Sequence, residues 1–184
     1  MGQGEALVRP EITLREVADG DLDIFFAHRQ DAEAVRMAAF TTLDPTDRAA
    51  FEEHWRKIRA DEDVTVRTVL VGGAAAGHVA SYVDPELGKL EVTYWLGREY
   101  WGRGVASAAL RAFLHVVTTR PIYGRAAKDN SASLRVLEKC GFVLVGADTG
   151  FSNARGAEVE ESILRLAADE GTLCSSAGSP PARE

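Results

Sequence analysis

Apolar residues change their spacing several times between residues 11 and 168, and each spacing predicts an element. Runs that alternate with polar residues, or that are rich in β-branched residues, predict strands. Turn residues separate the second, third and fourth runs, which therefore predict an antiparallel meander. In chain order the predicted strands lie around Ile12 and Leu14 and at 64–71, 77–83, 90–96, 122–127, 142–145 and 159–166.

Apolar residues at intervals of three and four predict helices between these strands. One helix begins with Asp19 or Asp21 as its N-cap, and the next begins with Asp44 as N-cap and Pro45 in its first turn. A long helix then starts after residue 104 and ends before residue 121. A short helix over 131–140 is closed by Gly141, which suits a left-handed C-cap.

Both ends of the chain lack this patterning. Residues 1–10 and 170–184 are rich in Gly, Ser, Ala and Pro and carry no apolar period, which predicts flexible tails. The hydrophobic content of the chain, 46%, is ordinary for a globular protein that buries a core without a metal or a disulfide. We therefore expect one α/β domain over residues 11–169.

The charge balance and the cysteine count exclude several partners. The 21 basic and 28 acidic side chains give a net charge of −7 without a basic block, so no nucleic-acid partner is expected. No signal peptide and no apolar run of about 20 residues is present, so no membrane is expected. The only cysteines, Cys140 and Cys174, favour a reducing compartment and a cytoplasmic location. The four histidines lack metal-ligand spacing, so no metal is expected.

The segment from Leu90 to Ala106 has the features of an anion-binding site. A strand leads into a loop with Gly102 and Gly104, and a helix follows. Glycine lets the main chain approach a ligand closely, and the free N–H groups at a helix start favour phosphate together with the helix dipole. Arg98 and Arg103 add positive charge to this loop.

A second segment also runs from a strand into a helix. It carries Asn130-x-x-Ser133, and it closes with Cys140-Gly141-Phe142. Asn130 is the natural N-cap of this helix. Cys140 is a small apolar residue of the helix rather than a candidate nucleophile.

Together these two segments resemble the GNAT superfamily of acyl-CoA-dependent N-acyltransferases, and most of all its RimJ/RimL-like branch. The resemblance covers about residues 11 to 168. It rests on Tyr94-Trp95-Leu96, on Trp101-Gly102-Arg103-Gly104-Val105-Ala106, and on the Asn130 and Gly141-Phe142 motifs. The superfamily's phosphate loop usually has Arg or Gln where this chain has Trp101, a substitution familiar in the RimJ/RimL-like branch.

What the resemblance implies is a mixed, mainly antiparallel twisted sheet with flanking helices, in which strands 90–96 and 122–127 splay apart as a V. Acetyl-CoA, as co-substrate, would lie in this V. Its arm would pair with the main chain near Leu96, its pyrophosphate would lie on the amides of residues 103–107, and Asn130 would contact the arm. The implied cofactor-binding residues are Leu96, Arg98, Trp101, Gly102, Arg103, Gly104, Val105, Ala106, Ser107 and Asn130.

The resemblance also implies a mechanism in which a primary amine attacks the thioester directly in a ternary complex. Glu91 is the candidate base, because a carboxylate beside an apolar cleft has a raised pKa. Ser133 is the candidate proton donor to the leaving thiolate, with Tyr94 as an alternative acid. Alternation puts Glu91 and Tyr94 on opposite faces of their strand and leaves open which face meets the acceptor.

Several alternatives remain open at this point. The acceptor is either a protein N-terminus or a small amine such as an aminoglycoside, a polyamine or an amino sugar. A different class of function is a catalytically silent acyl-CoA-binding regulatory module. Phe51 and Trp55 belong either to the core or to the acceptor pocket, and a homodimer is an expectation from analogy alone. A generic nucleotide-binding domain is disfavoured because the chain has no GxGxxG motif.

Overall fold

The computed structural model describes residues 11–168, which form a seven-stranded mixed sheet with helices on both faces. The strands are β1 Ile12–Arg15, β2 Thr65–Val71, β3 Ala74–Val83, β4 Leu90–Leu96, β5 Ile122–Ala127, β6 Val143–Ser152 and β7 Ala157–Leu166. The helices are α1 Asp21–His28, α2 Ala32–Ala38, α3 Arg48–Ala60, α4 Val105–Val116 and α5 Ser131–Lys139. The strand order is β1-β2-β3-β4-β5-β7-β6. The predicted tails lie outside the described residues.

The central strands β4 and β5 are the parallel pair of the sheet, and they soon separate. Within the described chain their pairing consists of Glu91 with Tyr123 and Val92 with Gly124. The neighbouring strands pair antiparallel, β3 with β4 and β5 with β7. The two central strands therefore form a V that opens toward their carboxyl ends. This arrangement confirms the expected fold.

Two apolar clusters cover the two faces of the sheet. Helices α4 and α5 bury one cluster, in which Leu110, Phe113 and Leu137 are almost fully buried. Helices α1 and α3 bury the other, built around Phe25, Phe51 and Trp55. Phe51 and Trp55 are 4% and 2% exposed, so both are core residues.

Helix α1 begins differently from the prediction. Asp21 is its first residue and Gly20 occupies the N-cap position, so neither Asp19 nor Asp21 is the N-cap. The buried Asp21 carboxylate instead accepts two hydrogen bonds from Arg15, one from Thr68 and one from the Ala18 N–H. Burial alone would raise the pKa of Asp21, but these donors lower it to about 2.

Helix α3 starts three residues later than predicted. Its N-cap is Asp47, whose carboxylate accepts a hydrogen bond from the Ala50 N–H at 2.9 Å. Asp44 is occupied in a local turn, where it accepts from the N–H and the hydroxyl of Thr46. A short polar side chain that satisfies its own turn cannot also cap the helix.

The structure also contains regular elements that the apolar pattern missed or shortened. Helix α2 was not predicted, and strands β3, β6 and β7 are longer than their apolar runs. Strand β6 lies at the sheet edge and is exposed along most of its length, so burial imposes no alternation on it. The predicted end of α5 is confirmed, because Gly141 has φ +89° and follows the last turn.

Candidate active site

The loop between β4 and α4 is a main-chain cradle. Gly102 and Gly104 have φ of +70° and +77°, and Gly104 is the N-cap of α4. Within residues 11–168 no side chain caps this helix. A Cβ on either glycine would meet no described heavy atom within 4 Å. The first turn of α4 therefore has no side-chain cap, and the space around both glycines is open.

Trp101 has a structural role at the start of this loop. Its indole Nε1 donates a hydrogen bond to the Leu96 carbonyl at 3.0 Å, which closes the turn that follows β4. Arg103 donates to the Glu99 carbonyl at 3.4 Å. Arg98 lies 3.5 Å from the Asp31 carboxylate at the beginning of α2. The two arginines of the loop thus lie at its surface, with partners of their own.

The remaining predicted cofactor residues extend this cradle into α4. Val105 and Ser107 are buried, and Ala106 is partly buried against the core below the helix. Their side chains therefore fix the helix on the sheet. Their main-chain N–H groups belong to the first turn, which is the part of a helix that lacks internal acceptors.

The edge of β4 that faces the V carries main-chain hydrogen-bonding groups. The Gly97 N–H donates to the Ala76 carbonyl across the β3–β4 pair at 2.9 Å. In antiparallel pairs, successive residues direct these groups alternately toward the partner strand and away from it. Tyr94 and Leu96 therefore direct theirs away from β3 and into the V. The Leu96 carbonyl already accepts the Trp101 indole, which leaves its N–H directed at the gap.

A chain of three polar side chains crosses the V. The Tyr94 hydroxyl on β4 lies 2.7 Å from the Ser133 hydroxyl on α5. Asn130 caps α5, since its Oδ1 accepts from the Ser133 N–H at 3.1 Å, and its Nδ2 donates to the Met37 carbonyl at 3.0 Å. Burial raises the pKa of Tyr94 to about 12. Two predicted residues, Ser133 and Asn130, are therefore neighbours here.

Glu91 lies on the opposite face of β4, where the V closes. Its side chain is buried, accepts a hydrogen bond from the Tyr82 hydroxyl at 3.2 Å and lies 3.9 Å from the Arg125 guanidinium. Burial raises the pKa of Glu91, although Arg125 and Tyr82 act in the other direction. This face belongs to the α1 and α3 side of the sheet, because Val92 and Leu96 pack into the α4 and α5 cluster.

The sequence of this chain is similar to known proteins. Residues 11–143 match the family described as the acetyltransferase (GNAT) domain. The chain belongs to this family. It is also 22% identical to an uncharacterized N-acetyltransferase, p20, from Bacillus licheniformis, over 88% of this chain and 96% of that protein. The resemblance to GNAT enzymes is therefore confirmed, and so is the class of acyltransferase.

Solved acetyltransferases share the fold of this GNAT domain. RimJ from Mycobacterium smegmatis, in complex with CoA-disulfide, has a TM-score of 0.74 and 20% identity, over 88% of this chain and 84% of RimJ. Spermidine N-acetyltransferase from Vibrio cholerae, in complex with CoA and spermine, has a TM-score of 0.71 and 19% identity, over 85% and 95%. Ligands of the CoA type thus recur among proteins of this fold.

The GNAT domain fits a ligand of this kind at the cradle. The two left-handed glycines, the uncapped first turn of α4 and the main-chain groups along β4 supply donors for phosphates and partners for an amide-containing arm. Over the described residues, no group of three His, Cys, Asp or Glu side chains could hold a metal ion.

Several residues around the V were missed by sequence reasoning. Tyr82 and Arg125 contact Glu91, and Arg125 also forms ion pairs with Glu161 at 2.6 Å and Asp148 at 2.9 Å. The one sequence signal for these contacts was an arginine, Arg125, among the apolar residues of strand β5. Helix α2 had no signal of this kind, because its residues show no apolar period.

His78 and Cys140 have structural surroundings. His78 packs against the rings of Phe25 and Trp55, and burial lowers its pKa to about 3. Cys140 donates to the Ser107 carbonyl, and burial raises the pKa of its thiol. As for membranes, none of the helices in residues 11–168 has the length and apolar content to cross a bilayer.

Proposed function

We propose that this chain transfers an acetyl group from acetyl-CoA to a primary amine, by direct attack within a ternary complex. The observation that carries the proposal is the cradle at the opening of the V, where Gly102 and Gly104 present the uncapped start of α4. Its position beside β4 suits a ligand that extends from phosphates on the loop to an acyl group between the strands.

The residues that would hold acetyl-CoA act mainly through their main chain. The N–H groups of residues 103–107 would bind the pyrophosphate, and the groups of Tyr94 and Leu96 that face the V would pair with the pantetheine arm. Acetyl-CoA supplies an activated thioester. Arg98, Trp101 and Asn130 border this path, Trp101 by fixing the Leu96 carbonyl.

Glu91 is the proposed general base. An amine must lose a proton before or during its attack, and the raised pKa of Glu91 gives this carboxylate more affinity for that proton than an exposed one has. Tyr82 and Arg125 hold the carboxylate in place. Its position at the closed end of the V makes a water-mediated transfer the natural route.

Ser133 is the proposed acid for the leaving thiolate, with Tyr94 behind it. When the Tyr94 hydroxyl donates to the Ser133 hydroxyl, across their distance of 2.7 Å, the Ser133 proton is free to point elsewhere. A thiolate beside Ser133 would accept this proton. The raised pKa of Tyr94 keeps the tyrosine protonated at neutral pH, as the relay requires.

The acceptor class is the finer part of the proposal. The names of the structural relatives include a spermidine N-acetyltransferase and a ribosomal L7/L12 alpha-N-protein acetyltransferase, RimL, so both a polyamine and a protein N-terminus belong in a first panel. The net charge of −7 favours a cationic acceptor. A cytoplasmic location and a homodimer stay predictions.

Two measurements test the proposal. Calorimetry with acetyl-CoA measures binding, and thiol release measures turnover with spermidine, an aminoglycoside, an amino sugar and an octapeptide that has a free α-amino group. We expect binding, and release with at least one amine. Binding without release from any amine would favour the silent acyl-CoA-binding module, and an absence of binding would contradict both readings.

A further inference from the structure

Helix α2 and the residues beside it form a strap, residues 31–41, across the open end of the V. At one end of the strap, Asp31 lies 3.5 Å from Arg98, which follows β4. Near its other end, the Met37 carbonyl accepts from Asn130, which follows β5. A helix of seven residues is about 10 Å long. The strap therefore connects the carboxyl ends of the two strands that splay apart.

The C-terminal part of the strap is held by side chains from distant parts of the sequence. Four side chains donate hydrogen bonds to four of its main-chain carbonyls. They are Arg155 to Arg36 at 2.9 Å, Asn130 to Met37 at 3.0 Å, Ser152 to Ala39 at 2.6 Å and Asn153 to Thr41 at 3.2 Å. Three of these donors lie at the turn of the β6–β7 hairpin.

Ala39 shows that these bonds hold the strap under strain. Its φ of +63° and ψ of −57° make it the centre of a γ-turn, which the bond from the Phe40 N–H to the Ala38 carbonyl closes at 2.8 Å. This form of γ-turn is rare and costly for a residue with a Cβ. Ala39 and Ser152 are both fully buried. Such strain persists only where the surroundings impose it, and it clusters at functional sites.

We propose that the hairpin turn, through Arg155, Ser152 and Asn153, fixes the strap across the V and thereby sets the affinity for the acceptor amine. The inference rests on the proposed function, since it concerns the route by which an amine reaches a thioester in the V. Arg155, Ser152 and Asn153 are positioning residues, because within residues 11–168 their side-chain hydrogen bonds join the strap, one another and Asp129. Their contribution appears in the binding of the amine rather than in the chemical step.

The chain offers a matched pair of substitutions for the test. The Arg155 guanidinium donates to the Arg36 carbonyl and also forms a bidentate ion pair with Asp129, at 2.8 and 3.0 Å. Arg155→Met removes both contacts. Asp129→Asn removes the charge of the ion pair and leaves the bond to the strap in place.

The experiment measures steady-state kinetics of both variants with the amine of the panel that wild type uses best. We expect Arg155→Met to raise the KM for the amine about tenfold, while kcat and the KM for acetyl-CoA change less than about threefold. Asp129→Asn should leave the KM for the amine within about twofold. Arg155→Lys, which keeps a donor, should recover part of the loss.

Other outcomes overturn the inference. Equal effects of Arg155→Met and Asp129→Asn on the amine KM would assign the effect to the ion pair alone. A fall of kcat with an unchanged amine KM would also count against the inference, since a loss of folded enzyme lowers kcat and leaves KM unchanged. Turnover by wild type with an unchanged amine KM in Arg155→Met would overturn the inference and leave the proposed function standing. If wild type turns over none of the amines, both fail together.

A second variant guards against misfolding of Arg155→Met. Asn153→Ala removes only the exposed bond to the Thr41 carbonyl. We expect it to raise the amine KM by about two- to threefold and to speed hydrogen exchange at the Ala39 and Phe40 amides. Unchanged exchange together with an unchanged KM would contradict the proposal.

Discussion

The glycine cradle and the strap lie at the same open end of the V but are built by different means. The cradle consists of main-chain groups within residues 102–107 and needs only two left-handed glycines and the beginning of a helix. The strap depends on side chains that are 93 to 119 residues away from the carbonyls they hold. The first is therefore a local property of the chain, and the second exists only in the folded molecule.

This difference has a functional counterpart. Main-chain donors suit a cofactor whose phosphates are constant, because a substitution other than proline leaves the main-chain N–H in place. An acceptor site must differ among enzymes of one fold. Side-chain hydrogen bonds such as those that hold the strap suit this need, because each can be changed by a single substitution. Substitutions at the two places should thus produce different defects.

The largest effect should come from Gly104→Asp. A side chain there is strained at φ +77°, and a carboxylate would repel a pyrophosphate at the start of α4. We expect the Kd for acetyl-CoA to rise about 100-fold or more in calorimetry. Gly72→Asp is the control, because Gly72 also has a left-handed φ of +57° and open space around it. Equal affinities of the two variants would remove the cradle from the cofactor site.

Glu91→Gln should have the next largest effect, on the other face of β4. If the carboxylate is the base, kcat should fall about 100-fold, and acetyl-CoA binding should persist. Because the pKa of Glu91 is raised, the wild-type rate should fall as pH drops through this raised value, and the variant should lose that limb. The control is Glu161→Gln, because Glu161 is also a carboxyl paired with Arg125 and its pKa is also raised by burial. A retained acid limb in Glu91→Gln would exclude the role.

Ser133→Ala should lower kcat about tenfold, and Tyr94→Phe by less, because the relay passes through Ser133. The double variant should cost little more than Ser133→Ala, since the two hydroxyls share one bond. Ser131→Ala, at an exposed position of the same helix, is the control. Additive losses in the double-mutant cycle would show that the two hydroxyls act separately.

The smallest effect on transfer should come from Asp21→Asn, which concerns stability. The pKa of Asp21 is about 2 in the folded chain, against about 3.9 when unfolded, so its ionised form stabilises the fold by about 2 to 3 kcal/mol above pH 4. This contribution should vanish as pH falls from about 4 to 2. Urea unfolding at pH 7 and at pH 2.5 measures it, with the exposed Asp23→Asn as control. An equal loss at both pH values would contradict the assignment.

The cradle could be predicted from the sequence, whereas the strap could not. The strands at Leu90–Leu96 and Ile122–Ala127 match the predicted bounds, because turn residues flank both of them in the sequence. The glycines of the cradle and the cap at Asn130 were also readable, since each acts on its own neighbours. Helix α2 was not, because its seven residues owe their position to contacts from the hairpin turn.

The candidate base shows the same limit. Glu91 could be placed on one face of its strand, but its partners Tyr82 and Arg125 come from two other strands. Asp44 shows a different limit. Its carboxylate accepts a hydrogen bond within a local turn and therefore does not cap the helix, although the sequence predicted that it would. Neither long-range pairing nor competition among nearby acceptors produces a periodic pattern in the sequence, so neither could be predicted from it.

The amide of Asn130 belongs to both regions at once. Its oxygen is fixed by the Ser133 N–H and its nitrogen by the Met37 carbonyl, so one planar group touches the helix of the proposed acid and the segment over the acceptor path. Any ligand that rotates this plane on one side must disturb the other. By thermodynamic linkage, if bound coenzyme changes the affinity for the amine by some factor, bound amine changes the affinity for the coenzyme by the same factor.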